Sequence, residues 1–346
     1  MGETMRRYFT WSLLLTAVGL ALAVWLGWSR GGVAGALSFG LIAAVLAVLE
    51  ISLSFDNAIV NANKLDGMAP VWRQRFLTWG ILIAVFGMRI VFPLAVVVIA
   101  AGIGPWDAIR LAAAEPDEYA RIMEEAHLSI TAFGGTFLMM VALGFFIDEE
   151  KEIDWIGGLE RRLRRAAGVQ GLQVGLVLVV LVSFASVLDP IETGIFLFSA
   201  LLGLLSYLAL DMLGNWLDAE QEVAGAARAG GLGAFLYLEV LDASFSFDGV
   251  IGAFAVTKNL FLIAIGLGIG AMYVRSMTIM LVEKRTLAEF RYLEHGAFYS
   301  ILVLSVLMYA QAVVHVPEAI TGLLGAALIG VALWSSVRHN RALREG

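Results

Sequence analysis

Leu41-Ile42-Ala43-Ala44-Val45-Leu46-Ala47-Val48-Leu49-Glu50-Ile51-Ser52-Leu53-Ser54-Phe55-Asp56-Asn57-Ala58-Ile59-Val60 is the stretch whose reading decides the fold. It continues an apolar run that begins near residue 33, and it is long enough to cross a bilayer core of about 30 Å as a helix, which takes about 20 residues. Yet it holds two carboxylates. Acids at membrane depth cost several kcal/mol unless they are paired or hydrated, so they mark function by default.

Working outward from it, apolar spans fall at about 10–28, 33–60, 76–101, 128–147, 171–190, 193–213, 231–257, 260–282, 296–314 and 319–336. The expected fold is therefore all-α, a polytopic transmembrane helix bundle of about ten spans that forms a single domain over 1–346. The composition agrees. Of the 346 residues, 60% are hydrophobic and only 15% charged, where a soluble domain carries about 25% charged residues. The absence of cysteine excludes disulfides, thiolate metal sites and cysteine nucleophiles. The four histidines are scattered. Arg6 and Arg7 precede the first apolar run, and Ala21-Leu22-Ala23 resembles a signal-peptide cleavage site. The run continues past it, so a retained first helix is the expectation.

Basic residues orient the chain. With the N-terminus inside, most of the 23 lie on the inner face. They include Arg6, Arg7, Lys64, Arg73, Arg75, Lys151, the run Arg161 to Arg165, Arg228, Lys284, Arg285, Arg291 and Arg338. Arg30, Arg110, Arg121 and Lys258 fall outside. Both termini are expected to be cytoplasmic. The acidic outer loop at 102–127 has room for a short surface helix. The inner segment around Arg161 reads as a positive-inside signal. His295 and His315, at helix ends, read as interfacial. The glycines Gly266, Gly268 and Gly270 read as close helix packing.

An internal repeat adds the functional argument. Glu50-Ile51-Ser52-Leu53-Ser54-Phe55-Asp56 is echoed by Asp242-Ala243-Ser244-Phe245-Ser246-Phe247-Asp248, and an arginine follows each copy within an apolar span, Arg89 and Arg275. The copies sit five crossings apart, so they enter the membrane from opposite sides. This is an inverted-topology repeat, with the first half at about 33–147 and the second at about 231–336. Such repeats place a substrate site near the midplane, often at interrupted helices. The patches Asn57-Asn61-Asn63 and Gly249-Gly252 are where unwinding is expected. On an ideal helix, Asp56 lies about 120° round from Glu50, so a straight helix cannot aim both at one ion: either the helix unwinds near the aspartate, or one acid binds the ion while the other faces Arg89 or Arg275.

The expected site comprises Glu50, Asp56, Asn57, Glu239, Asp242 and Asp248, with Arg89 and Arg275 balancing charge. Carboxylates, amide oxygens and hydroxyls suit hard divalent cations such as Mn²⁺, Mg²⁺ or Ca²⁺. The expected partners are the lipid bilayer and a metal ion, not nucleic acid. No metalloprotease helix motif and no serine with a nearby base is present, so an enzyme is not expected.

At these motifs the chain resembles the TerC family of integral membrane proteins. The likeness rests on Glu50 with Asp56-Asn57; on Glu239 to Asp242 with Asp248-Gly249; and on Gly80 to Arg89, Phe133-Gly134-Gly135, Tyr292-Leu293 and His315-Val316-Pro317. Gly249 stands where the family has serine. The resemblance implies export of a metal ion, chiefly manganese, by a bacterial inner-membrane carrier. Some TerC relatives are linked to tellurite resistance or to membrane-protein assembly.

Overall fold

In a computed structural model, the described residues are 2–80, 83, 87, 90–148, 151–169, 171–223, 231–314, 316 and 318–345. They are almost entirely helical. In chain order the helices are α1 (Gly2–Leu53), α2 (Phe55–Asp66), α3 (Pro70–Arg75), α4 (Phe92–Ala101), α5 (Pro105–Ala114), α6 (Pro116–Glu125), α7 (His127–Phe146) and α8 (Gly157–Arg165). There follow α9 (Leu172–Ala185), α10 (Pro190–Val223), α11 (Leu232–Val256), α12 (Leu260–Glu283), α13 (Thr286–Glu289), α14 (Leu293–Ala310) and α15 (Glu318–Glu345). A π-helical turn, Phe76–Gly80, follows α3.

α1 is two arms, not one rod. Helical geometry fails at Gly31 and Gly32, and Gly32 adopts φ 58°, ψ −140°, a conformation open to glycine and strained for residues with a side chain. The arms fold back antiparallel. A Cβ at Gly27 would lie 2.2 Å from the Gly35 carbonyl oxygen, so only glycine lets the two backbones meet. The first expected span is thus a helical arm. It packs on α12 through Ser12, whose hydroxyl lies 2.7 Å from that of Ser276 and donates to the Met272 carbonyl at 2.8 Å.

Among the described residues five helices are long and apolar enough to cross a membrane, or six if α4 and α5, bent by 104°, count as one broken span. Burial divides them. The most apolar window of α7 is 67% buried, that of α1 only 22%. α7 is therefore central, and α1 presents most of its apolar surface outward. Leu37, Leu41, Ile99, Ile191, Phe198 and Leu323 are all exposed. So many large exposed apolar side chains mark a surface facing lipid, not water. The exposed Trp11, Trp25, Trp28, Trp106, Trp216 and Trp334 lie mostly near span ends, as an aromatic belt does.

The main core joins α2, α7, α11, α12 and α14. A second cluster packs Tyr119, Ile122 and Met123 of α6 and Ala108 of α5 against Val250 and Ala253 of α11 and Leu267 of α12. The 102–127 loop, expected to hold one short helix, holds two, and each opens with a proline at the position where its missing N–H costs nothing.

Candidate metal centre

The polar interior is built where α2, α11, α12 and α14 meet. The helix carrying Glu50 ends at Leu53 and restarts at Phe55; Ser54 between them has φ −101°, ψ 17°. Flanking hydrogen bonds survive, Ser54 N to the Glu50 carbonyl at 3.0 Å and Ala58 N to the Ser54 carbonyl at 3.2 Å. The expected interruption near Asp56 is present, two residues ahead of it and not at Asn57–Asn63. The second copy differs. α11 runs unbroken from Leu232 to Val256, so the expected unwinding at Gly249–Gly252 does not occur. Gly249 and Gly252 serve a continuous helix.

Glu50, Asp56, Asn57, Glu239 and Asp242 are all buried. The four acids divide between two cavities. The first, about 30 Å³, is lined by Glu50, Ser54, Asp56, Gly249, Ser300 and Gly325 among others. The Ser54 hydroxyl donates to Glu50 Oε1 at 3.1 Å, the Ser300 hydroxyl to Asp56 Oδ2 at 2.8 Å, and the Asn57 backbone N–H to Asp56 Oδ1 at 2.8 Å. The second, about 40 Å³, is lined by Asn61, Gly80, Glu239, Asp242, Arg275 and Thr278 among others. Here Glu239 Oε1, Asn61 Oδ1 and Arg275 Nε have no hydrogen-bond partner among the described residues, while Arg275 Nη2 donates to the Leu77 carbonyl at 2.8 Å. Each cavity exceeds the roughly 10–15 Å³ that one water needs. A hydrogen bond ties the two regions: Asn57 Nδ2 donates to Asp242 Oδ1 at 2.6 Å.

Five of the six expected ligands therefore gather, though not around one point. Among the described residues no three Asp, Glu, His or Cys side chains come close enough to hold one metal ion. Arg275 does lie beside the acids. Arg89 and the side chain of Asp248 lie outside the described residues, as do Arg228, His315 and Pro317. Asn61, expected only as part of a patch where the helix unwinds, lines the second cavity, and Ser300 joins the first unannounced. Nothing in the repeat pointed to α14, and Ser300 is an ordinary small residue in an apolar helix.

A different polar cluster closes one end of the bundle. Glu160 has no exposed surface. It pairs with Lys151 and accepts from the Ile156 amide at 2.9 Å and the Tyr299 hydroxyl at 3.0 Å. His295 Nε2 stands 3.4 Å from its Oε2 and 2.8 Å from the Ile153 carbonyl. His295 is 3% exposed, so the interfacial reading is corrected: its ring is a buried strut between α14 and the loop before α8. Lys151 lies over Phe145 and Phe146 at 5.0 and 5.1 Å. Burial pushes the Glu160 carboxyl up, but hydrogen bonds from His295, Lys151 and the Ile156 amide outweigh it. They hold the group well below the usual carboxylate range.

The family described as "Protein of unknown function (DUF475)" matches residues 55–343. The chain belongs to the DUF475 family. The matched stretch takes in Asp56, Asn57, Glu239, Asp242 and Arg275, while Glu50, on α1, precedes it. No curated protein and no solved structure matches this DUF475 chain.

Proposed function

We propose that this DUF475 protein is a TerC-like transporter that exports a divalent metal cation, Mn²⁺ first among candidates and Ca²⁺ or Mg²⁺ behind it, across a bacterial inner membrane. In this reading ten crossings leave both termini in the cytoplasm, the two halves form an inverted repeat, and alternating access rocks one against the other.

One observation carries the reading. Four buried carboxylates, Glu50 and Asp56 from the first half and Glu239 and Asp242 from the second, line two cavities bridged by the Asn57–Asp242 hydrogen bond. Buried acids on this scale are expensive in an apolar bundle, and stability alone gives no reason to keep them. Their chemistry suits a hard cation. The first cavity presents two carboxylates and the hydroxyls of Ser54 and Ser300, an all-oxygen set. The second adds the Asn61 amide oxygen beside Glu239. Arg275 lets the second cavity stay near electrical balance when no metal is there. Carboxylates that give up a metal can take up protons, so proton antiport follows as the coupling.

The test is Mn²⁺ flux into liposomes containing the purified full-length protein. Wild type should move Mn²⁺, and Asp56→Asn and Glu239→Gln should each slow it at least about tenfold, the factor that about 1.4 kcal/mol of lost ion stabilisation yields. Flux no greater than that of protein-free liposomes would overturn transport and favour a scaffold or assembly role.

A further inference from the structure

The acids of each half reach into places where the other half has no side chain. A Cβ built on Gly249 of α11 would lie 2.7 Å from Glu50 Oε2, and one built on Gly270 of α12 would lie 2.2 Å from Glu50 Cγ and 2.4 Å from its Cβ. In the opposite direction, a Cβ on Gly80 would lie 2.8 Å from Glu239 Oε1. Glu50 comes from the first half and fills notches in the second; Glu239 comes from the second half and fills one in the first.

The three glycines act on different parts of the acids. Gly270 touches the stem of Glu50. Its clash is with Cβ and Cγ, and Cβ is fixed by the α1 backbone, so no rotamer clears it and an added methyl must push α1 from α12. Gly249 touches only a carboxylate tip; Gly80 touches a carboxylate tip and the edge of the Phe76 ring, where a Cβ would lie 3.0 Å from Cδ2. A methyl at Gly249 is relieved by turning or withdrawing the carboxylate, and one at Gly80 by the same movement with a small shift of the Phe76 ring, the helices left in place. Gly249 lines the first cavity and Gly80 the second, so any such withdrawal moves an oxygen that faces the cavity.

From this we infer that Gly249 and Gly80 are specificity-determining residues. By their missing side chains they set how far Glu50 and Glu239 extend into the two cavities, and thereby which divalent cation the oxygens fit. Mg²⁺ demands oxygens at about 2.0–2.1 Å in near-octahedral array, whereas Ca²⁺ takes 6–8 at about 2.3–2.6 Å. A carboxylate displaced by a few tenths of an ångström therefore changes the ranking of ions, not only the strength of binding. The inference rests on the cation reading of the site.

The closing experiment measures Mn²⁺ binding to purified full-length protein in detergent, by calorimetric titration, with Ca²⁺ and Mg²⁺ as competitors. Gly249→Ala should weaken Mn²⁺ about tenfold and alter the Ca²⁺:Mg²⁺ competition ratio. Adding Glu50→Asp, whose side chain is one methylene shorter, should remove the clash and bring Gly249→Ala back at least threefold. Glu50→Asp in the wild-type background should weaken binding. Gly80→Ala is the parallel variant on the other cavity, and size-exclusion profiles report which variants fold. Gly175→Ala, where a Cβ meets nothing within 4 Å, should behave as wild type. Binding by wild type with folded Gly249→Ala and Gly80→Ala unchanged in affinity and ion ranking overturns the notch inference alone. No binding of any of the three ions by wild type overturns the cation reading beneath it.

Discussion

Exchanging Glu160 for glutamine removes one negative charge from a site with no exposed surface and leaves almost everything else in place. The change is isosteric, so no cavity opens. Its main consequence falls on Lys151, whose side chain is 7% exposed and whose ammonium pairs with Glu160 Oε2. Removing one member of a buried pair costs about 3–5 kcal/mol, because the remaining charge stays buried without compensation. The glutamine oxygen can still accept from the Ile156 amide and the Tyr299 hydroxyl, and each neutral hydrogen bond retains about 0.5–1.5 kcal/mol. The expected loss is therefore at the lower end, about 3 kcal/mol. Tyr299→Phe, which deletes one donor to the same carboxylate, should cost about 1–2 kcal/mol. The measurement is unfolding in mixed micelles under rising SDS, followed by tryptophan fluorescence. Trp155 is a useful reporter, since its ring lies 5.8 Å from that of Tyr299. A loss under roughly 0.5 kcal/mol for Glu160→Gln, the range of ordinary surface substitutions, would refute the claim that this carboxylate is ionised and holds the loop to α14.

The same group gives a pH dependence of definite sign. Its folded pKa is depressed below the unfolded value of about 4.3. Its contribution is therefore fully present above that pH and is lost as pH falls through the folded value. Wild-type stability should drop below about pH 4, and the drop should be shallower in Glu160→Gln. Gly27→Ala should pry the two arms of α1 apart and cost about 1–3 kcal/mol or more, read in the same SDS titration. Tyr119→Phe should leave stability unchanged or raise it by about 1 kcal/mol, since the buried Tyr119 hydroxyl has no hydrogen-bond partner among the described residues. Asp117→Asn, which removes the exposed pair with Lys258, should cost no more than about 1 kcal/mol; a larger loss would mean that this pair anchors α6 to the start of α12.

Hydropathy and charge made the membrane bundle legible because both are additive along the chain. The buried acids Glu50, Asp56, Glu239 and Asp242 were legible for a related reason: an acid in an apolar run stands out by itself. What escaped notice depends on partners far away in sequence. Ser300 contacts Asp56 across 244 residues, and a serine in an apolar helix carries no mark of that contact. His295 sits near the start of α14 and looked interfacial, but its burial comes from Glu160 and the Ile153 carbonyl, which arrive from another segment. A break near Asp56 is one of two outcomes that the angle between Glu50 and Asp56 allows, and it falls at Ser54, ahead of the asparagine patch. The absence of a break in α11 was not anticipated, because local glycine content indicates where a helix can unwind, not where packing makes it do so. The glycines at 266 and 270 were read correctly as close packing. That a carboxylate stem would occupy the gap at Gly270 could be seen only once α1 and α12 were side by side.

The Asn57–Asp242 bond spans 185 residues, and that interval is also a length of time. Chains are synthesised at about 5–20 residues per second, so Asp242 emerges roughly 10–40 seconds after Asn57. Ser276, the partner of Ser12, trails by 264 residues. For that interval Glu50 and Asp56 exist without the glycine notches, Ser300 or Asp242. The first half of this protein must therefore wait for its second, with its acids either protonated, kept at the water interface, or shielded by the insertion machinery. A ribosome stalled between the two halves would expose that waiting state.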